Sequence, residues 1–363
     1  MKKRRVALLF GGKSAEHEVS LQSAKNVYEA LPKDKYEVVL VGIDKQGRWL
    51  LQDASKFLLN SENPELIALN SSKKNVAMVH DKSGDGALID VSSGKDIGEV
   101  DVVFPILHGP LGEDGTVQGM LKLMGVPFVG AGVLGSAIGM DKDVMKRLLR
   151  EAEIPVANFV VLRVEDKVTL EEVKEEIGIP FFVKPANLGS SVGVSKVKQK
   201  EDYEKAISEA FLYDTKVLCE EYIKGREIEC SVLGNENPIA SVPGEIVLHD
   251  EFYSYSTKYI DENGAELAIP AKLPKSVAKS IQEMAILAFK ALECSGMARV
   301  DFFLTSGGGI FVNEINTIPG FTRISMYPKL WEQSGISYSE LCEKLIELAI
   351  EKHAGESRLK TSR

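Results

Sequence analysis

Hydrophobic positions along the chain fall into runs whose period changes from segment to segment. Val6–Phe10 is a continuous apolar run of strand length that stops at Gly11 and Gly12. Apolar residues then recur at Val19, Ala24, Val27, Tyr28 and Leu31, the spacing of one helical face. Tyr36–Ile43 reads as the next strand, so the chain opens as a βαβ unit on a parallel sheet. Asp44 to Glu99 is polar and weakly patterned, with turn signals at Asn60–Pro64 and Ser83–Gly86, and predicts a loop-rich elaboration. Asp101–Leu107 predicts a buried strand ending at His108, and Thr116–Met124 a helix.

A glycine-rich stretch, Gly125–Gly139, leads into a helix from Asp141 to Glu153, and a second region begins at Ile154 and Pro155. There, Phe159–Val164, Phe181–Lys184 and Lys216–Tyr222 predict strands, and Thr169–Ile177 and Lys200–Phe211 helices. A third region starts near Lys224, with strands at Glu227–Leu233, Arg299–Leu304 and Ile310–Asn316 and helices at Lys275–Leu292 and Tyr338–Lys352. The polar end, Gly355–Arg363, predicts a disordered tail.

Composition narrows the class. A chain of 363 residues exceeds the ~100–200 of one domain, so two or three are expected. Hydrophobic residues make up 44% and charged residues 27%, enough for a sizeable core. The net charge of −9 excludes a general attraction to nucleic acid or anionic membrane, so any bound anion requires a local cationic pocket. Cys219, Cys230, Cys294 and Cys342 show neither C-x-x-C spacing nor a nearby histidine pair, which fits a reduced, cytoplasmic setting without structural zinc. The apolar run after the basic start is too short for a signal peptide, and glycines with Pro127 break Met124–Met140, so no membrane segment is expected.

Candidate chemistry concentrates in two segments. Arg299–Leu304 and Ile310–Asn316 flank Ser306 and three glycines, a hairpin signal. With the turn centred between Gly307 and Gly308, Asp301 faces Glu314 and Arg299 faces Asn316, all on one side of the ribbon, with Val300, Phe302 and Ile315 on the other. Opposed carboxylates repel unless a cation sits between them, and hard oxygen donors at this spacing suit Mg²⁺ with substrate phosphates. The alternative is a solvent-facing hairpin with scattered charges. In the second segment, the strand ending at Lys184 runs into Gly189, Ser190, Ser191 and Gly193, a loop able to bring backbone N–H groups and hydroxyls to one phosphate. A plain turn is the alternative, and the spacing is not that of a P-loop. Lys142 and Lys258 could serve the same anion or lie on the surface; 249–264, aromatic and polar without a period, reads as a lid. Glu220 and Glu221 end a strand and offer acceptors to a nucleoside. In the first region, Glu16 and the His108–Gly115 loop fall at the carboxyl edge of the parallel sheet, where small ligands bind.

Together these segments, with Gly11–Ser20, Glu251–Tyr259 and Pro319–Ser325, resemble the D-alanine–D-alanine ligases of the ATP-grasp superfamily over nearly the whole chain. The resemblance implies an α/β (α+β) fold of three domains: 1–130, a parallel-sheet domain for the first substrate; 131–222, a central ATP-grasp domain; and 223–355, a C-terminal ATP-grasp domain with its lid at 249–264, then a tail at 356–363. It implies ATP-dependent joining of two D-alanines through a D-alanyl phosphate, for peptidoglycan precursors, with a D-alanine–D-serine ligase or an inactive sensor as alternatives. Asp301, Glu314 and Asn316 would hold two Mg²⁺ (or Mn²⁺) ions on ATP. Lys142, Lys184, Ser190, Ser191 and Lys258 would contact the phosphates, and Glu220, Glu221, Tyr222, Ile223, Glu227 and Phe303 the nucleoside. Glu16, His108, Tyr253 and Ser325 would bind substrate, Arg299 and Gly320 would form the oxyanion site, and Glu16, Ser190 and Tyr259 a triad joining lid to site. Leu111, where an aromatic residue is expected, is a departure, while the pairing of Lys258 with Tyr259 favours dipeptide over depsipeptide synthesis. A homodimer is implied.

Overall fold

In the computed structural model, residues 2–64, 66–72, 74–80, 86–248 and 265–360 are described. The expected lid, with Tyr253, Lys258 and Tyr259, lies outside them, as do residues 361–363. The opening βαβ unit forms as expected. Arg4–Gly11 pairs in parallel with Tyr36–Ile43 on one side and with Val102–Ile106 on the other. Trp49–Gln52 adds an antiparallel edge. The central strands are buried on both faces, which is why Val6–Phe10 reads as an unbroken apolar run.

The segment expected to be loop-rich is instead built from short strands. Leu58–Leu59 pairs with Ala68–Leu69, and Val76–His80, Gly86–Asp90 and Asp96–Glu99 form a meander. These strands have two to five residues, and the meander buries few side chains, Val76, Ala87 and Leu88 among them, so no alternation long enough to recognise develops.

The second sheet is antiparallel, in the order Phe159–Arg163, Lys216–Glu221, Phe181–Pro185, Ser195–Val197. Helices Leu170–Ile177 and Lys200–Ala210 cover it through Val173, Ile177, Tyr203 and Ala206. The third sheet centres on Gly225–Gly234, Gly296–Thr305 and Ile310–Asn316, extended by Gly244–Leu248 and Ala265–Ala268, two strands without a clear sequence signal. Its inner face packs Ile228, Cys230, Val300, Phe302 and Ile315 against helices Lys142–Glu151 and Lys275–Ala291. The opposite face is covered at one end by helix Met326–Gln333, through Ile246, Leu233 and Met297, and carries Glu229, Arg299 and Asp301 over the rest.

Within the glycine-rich stretch, Val133–Met140 is a helix. Its glycines permit close backbone approach: a Cβ on Gly135 would lie 2.5 Å from the Glu293 carbonyl oxygen, and one on Gly139 2.8 Å from Thr317 Cγ2. The C-terminal helix runs Tyr338–Glu356, into the expected tail, with its last turn tied by an ion pair from Glu356 to Lys122 at 3.2 Å. Leu341, Leu345, Ile346 and Ala349 of this helix join Val6, Leu8, Phe10, Val102 and Phe104 in one core. The two ends of the chain are therefore packed as a unit.

Candidate active site

The hairpin places the acidic pair opposite each other, by a different route from the simple count. Near the turn the strands pair Leu304 with Ile310 and Phe302 with Val312, which centres the turn on Gly307 and, if continued, would set Asp301 against Asn313. A register shift beside Asp301 takes up one extra residue, so Asp301 meets Glu314 and Arg299 meets Asn316. Such bulges re-aim side chains where a strand carries a site. Glu227 and Glu229 of the neighbouring strand pair with Phe303 and Asp301, and fall on the same face.

Charges on this face are balanced by close cations. Arg299 binds Asp301 through two hydrogen bonds of 2.7 and 2.8 Å and Glu229 at 2.9 Å, and Asn316 Nδ2 donates to Asp301 at 3.0 Å. Lys142 Nζ lies 3.6 Å from Glu314 and donates to the Leu188 carbonyl at 2.7 Å, tying the helix start to the small-residue loop. Asp141 caps that helix by accepting from Val144 N, and Lys216 clamps Asp141 and Asp143, which fixes where Lys142 points. Lys184 bonds Glu220 at 2.5 Å, and the wholly buried Lys146 pairs with the other Glu220 oxygen at 2.7 Å. Burial alone would raise the Glu220 pKa; Lys146 and Lys184 outweigh it and hold the group below the usual carboxylate range.

A second cluster joins the first sheet to the loop after Lys184. Glu16 stands at the N-terminus of helix His17–Ala30, yet its side chain makes no capping bond. Instead it accepts from Ser190 Oγ at 2.5 Å, across 174 residues of sequence. Ser190 and Ser191 have φ of 53° and 59°, a left-handed backbone that non-glycine residues rarely adopt and that clusters at functional sites. Gly109, at φ 77°, is required here: a Cβ would come within 2.8 Å of Ser14 Oγ and 3.1 Å of Glu16 Oε2. His108 is buried, with Nδ1 3.0 Å from the Ile318 carbonyl and Nε2 3.4 Å from Ser23 Oγ. Burial lowers its pKa, so the neutral ring, donating from Nδ1, fits this environment. Ile318 precedes Gly320, so His108 anchors the segment that carries the expected oxyanion donor. Ser325 bonds Thr322 at 2.7 Å between the hydroxyls.

Three residues of the cluster have no place in the sequence reading. Glu113 accepts from Gly109 N at 2.9 Å, and burial, then the charges of Glu16 and Glu314, push its carboxyl up to about 8. Glu229 was legible from strand alternation, two residues beyond Glu227; Lys146 from its helical spacing, one turn after Lys142. Glu113 carries no such signal. Glu221 is separated from the others: alternation turns it away from Glu220, and its carboxylate accepts from the Asn158 backbone and side-chain N–H groups at 3.2 and 2.9 Å. Tyr222 is partly exposed beside Phe182, ring centroids 5.9 Å apart.

Comparison with known proteins decides the family. Family models described as the D-ala D-ala ligase N-terminus and C-terminus match residues 5–131 and 148–347. The chain belongs to the D-alanine–D-alanine ligase family. It is 57% identical over 363 residues to the D-alanine–D-alanine ligase of Oceanobacillus iheyensis, covering 99% of each chain. Against D-alanine–D-alanine ligase A of Escherichia coli it is 54% identical over 364 residues, covering 100% of both. Among solved structures, the Coxiella burnetii D-alanine-D-alanine ligase superposes with a TM-score of 0.83 at 40% identity, covering 98% of both chains. The VanG D-Ala:D-Ser ligase of Enterococcus faecalis superposes at 0.84 with 38% identity, covering 96% of this chain and 100% of that one. These ligases have the ATP-grasp fold, and this chain shares it. No helix among the described residues is long and apolar enough to cross a membrane.

Proposed function

We propose that this protein joins two D-alanine molecules to D-alanyl-D-alanine at the expense of ATP, through a D-alanyl phosphate. The observation that carries the reading is the Ser190 to Glu16 bond at 2.5 Å, which brings a phosphate-type loop onto an amino-acid-type site. Formation of an acyl phosphate needs that juxtaposition, because the reacting carboxylate and the γ-phosphate must meet. The region 1–130 supplies the first-substrate site, 131–222 and 223–355 the two ATP-gripping parts.

In this reading, Lys142, Lys184 and the Gly189–Gly193 loop bind the triphosphate, with Ser190 and Ser191 lending hydroxyls and Lys258 reaching the γ-phosphate from the lid. Glu220, Glu227, Phe303 and the Tyr222–Ile223 backbone enclose the nucleoside. Glu221 is assigned there by resemblance alone. Glu16, with His108 nearby, receives the ammonium of the first D-alanine, and Tyr253 is assigned to substrate binding by resemblance alone. The carboxylate of that substrate attacks the γ-phosphorus and ADP departs. The amine of the second D-alanine, its carboxylate held at Ser325, then attacks the acyl carbonyl. A tetrahedral oxyanion forms, stabilised by Arg299 and the Gly320 N–H, and collapses with loss of inorganic phosphate. Tyr259 completes the triad with Ser190 and Glu16.

Asp301, Glu314 and Asn316 suit Mg²⁺: the carboxylates and the amide oxygen are hard donors, and Arg299 and Lys142 already pair with the two acids as a cation would. In this reading Asp301, Glu314 and Asn316 would hold the ion together with triphosphate oxygens, and it would supply neutralisation of the charge that develops on the phosphates.

The likeness to a D-Ala:D-Ser ligase keeps D-serine as a second-substrate alternative. The test is ADP and phosphate release from ATP and Mg²⁺ with single and paired D- and L-amino acids and D-lactate, with product identification. D-alanyl-D-alanine as main product is expected; turnover with no D-amino acid refutes the proposal. The reading also carries a homodimer and a cytoplasmic setting; sedimentation measures the first.

A further inference from the structure

Among the described residues, Lys146 is the one lysine of the cluster that is wholly buried. It lies on helix Lys142–Glu151, one turn after Lys142, is wholly buried, and its ammonium meets Glu220 Oε2 at 2.7 Å. Glu220 is also buried, and its other oxygen receives Lys184 at 2.5 Å. Lys184 and Glu220 are diagonal neighbours on adjacent strands, since Phe182 pairs with Glu220. One buried carboxylate is therefore shared between a lysine with no exposed side-chain surface and one whose side chain keeps 11% of its surface open.

This sharing decides whether Lys184 is available to a nucleotide. A buried carboxylate stripped of its counter-ion is strongly disfavoured. Were Lys184 the only partner of Glu220, turning its ammonium towards a phosphate would strand that charge, and nucleotide binding would be opposed by the ion pair it had to break. We propose that Lys146 is a positioning residue for ATP: it keeps a cation against Glu220 when Lys184 leaves it, so that Lys184 can turn its ammonium towards the triphosphate. Lys146 touches neither substrate nor reacting atom in this role, which rests on the ATP-binding reading of the site.

The test measures the Kd of Mg²⁺–ATP by calorimetry and steady-state kcat and KM, in wild type, Lys146→Met, Lys146→Arg, Glu220→Gln and the Lys146→Met/Glu220→Gln double variant. Lys146→Met is expected to raise the Kd and KM for ATP tenfold or more, with kcat and the KM for D-alanine changed less than threefold. Lys146→Arg, which keeps the charge, stays within threefold of wild type in ATP affinity. Adding Lys146→Met to Glu220→Gln changes ATP affinity less than twofold, because a neutral amide needs no counter-ion. A structural role alone would weaken all ligands together and would persist in the double variant. ATP affinity within twofold of wild type in Lys146→Met overturns the proposal, as does a further tenfold loss on the Glu220→Gln background. The second comparison decides the matter even if Lys146→Met alone does not fold. Wild type that binds no ATP would refute the ligase reading and this role together, whereas failure confined to the variants refutes only the role.

Discussion

Gly109→Ala tests the junction between the first-substrate site and the phosphate loop without removing any functional group. The added Cβ would sit 2.8 Å from Ser14 Oγ and 3.1 Å from Glu16 Oε2, so both side chains must shift by several tenths of an ångström. Gly109 has φ 77°, where an L-residue is disfavoured by about 1–2 kcal/mol. Unfolding entropy of about 2.1 cal/mol/K per residue over 363 residues makes that a fall in Tm of only about 1–3 °C. The effect on function should be larger. Displacing Glu16 weakens its bond from Ser190, and a hydrogen bond to a charged group contributes about 1.5–3 kcal/mol, or roughly 10- to 150-fold. We expect kcat/KM for the first D-alanine to fall by about that factor, while the KM for ATP changes less than about threefold, since Lys142, Lys184 and Glu220 are not contacted. Coupled assay of ADP release with D-alanine and ATP varied separately measures both. Unchanged kcat/KM for D-alanine would refute the placement of Glu16, and an equal loss for ATP would show that the loop binds the two substrates as one unit.

Glu314→Gln should reduce kcat at least about a hundredfold with Tm within a few degrees, and shift the Mg²⁺ concentration for half-maximal activity upward; near-normal activity removes the metal assignment. The Glu113 carboxyl, raised to about 8 by burial and by Glu16 and Glu314, holds its proton more tightly folded than unfolded. Stability from this group is thus fully present below about pH 4.5 and lost as pH rises through about 8; Glu113→Gln should remove a decline on the order of a few kcal/mol, read by denaturant titrations at pH 5, 7 and 9. Leu345→Ala removes a wholly buried side chain from the core shared by the C-terminal helix and the first sheet, and should destabilise by about 2–5 kcal/mol. Hydrogen exchange should then rise in Arg4–Gly11 as well as in the helix; loosening of the helix alone would contradict a shared core.

The chain determines by itself whatever depends on local period. Val6–Phe10 and the helical spacing after it specify the βαβ start, and period two carries Arg299, Asp301, Glu314 and Asn316 to one face. Near the turn the register is nonetheless one residue off the simple count, with Phe302 meeting Val312 rather than Asn313. The Asp301 and Glu314 pairing survives because Asn313 is taken up in a bulge, and a bulge answers to neighbouring strands rather than to alternation. Short strands between Trp49 and Glu99 carry no legible pattern for the converse reason, having too few buried positions to make a period.

Tertiary structure alone decided the rest. Ser190 meets Glu16 over 174 residues, and Lys146 meets Glu220 from a different element; the helical spacing sets Lys146 one turn after Lys142 but carries no sign of the buried carboxylate it meets. Glu113 became part of the site only because the backbone of Gly109, the carboxylate of Glu16 and that of Glu314 close around it. The C-terminal helix could be read as a helix, but the sheet it covers begins at the opposite end of the chain. Local sequence fixes dihedral preference and the side of an element that is apolar. Which charges come to share a low-dielectric space depends on chain reversals that carry no local signature, and those decide what the charges can do.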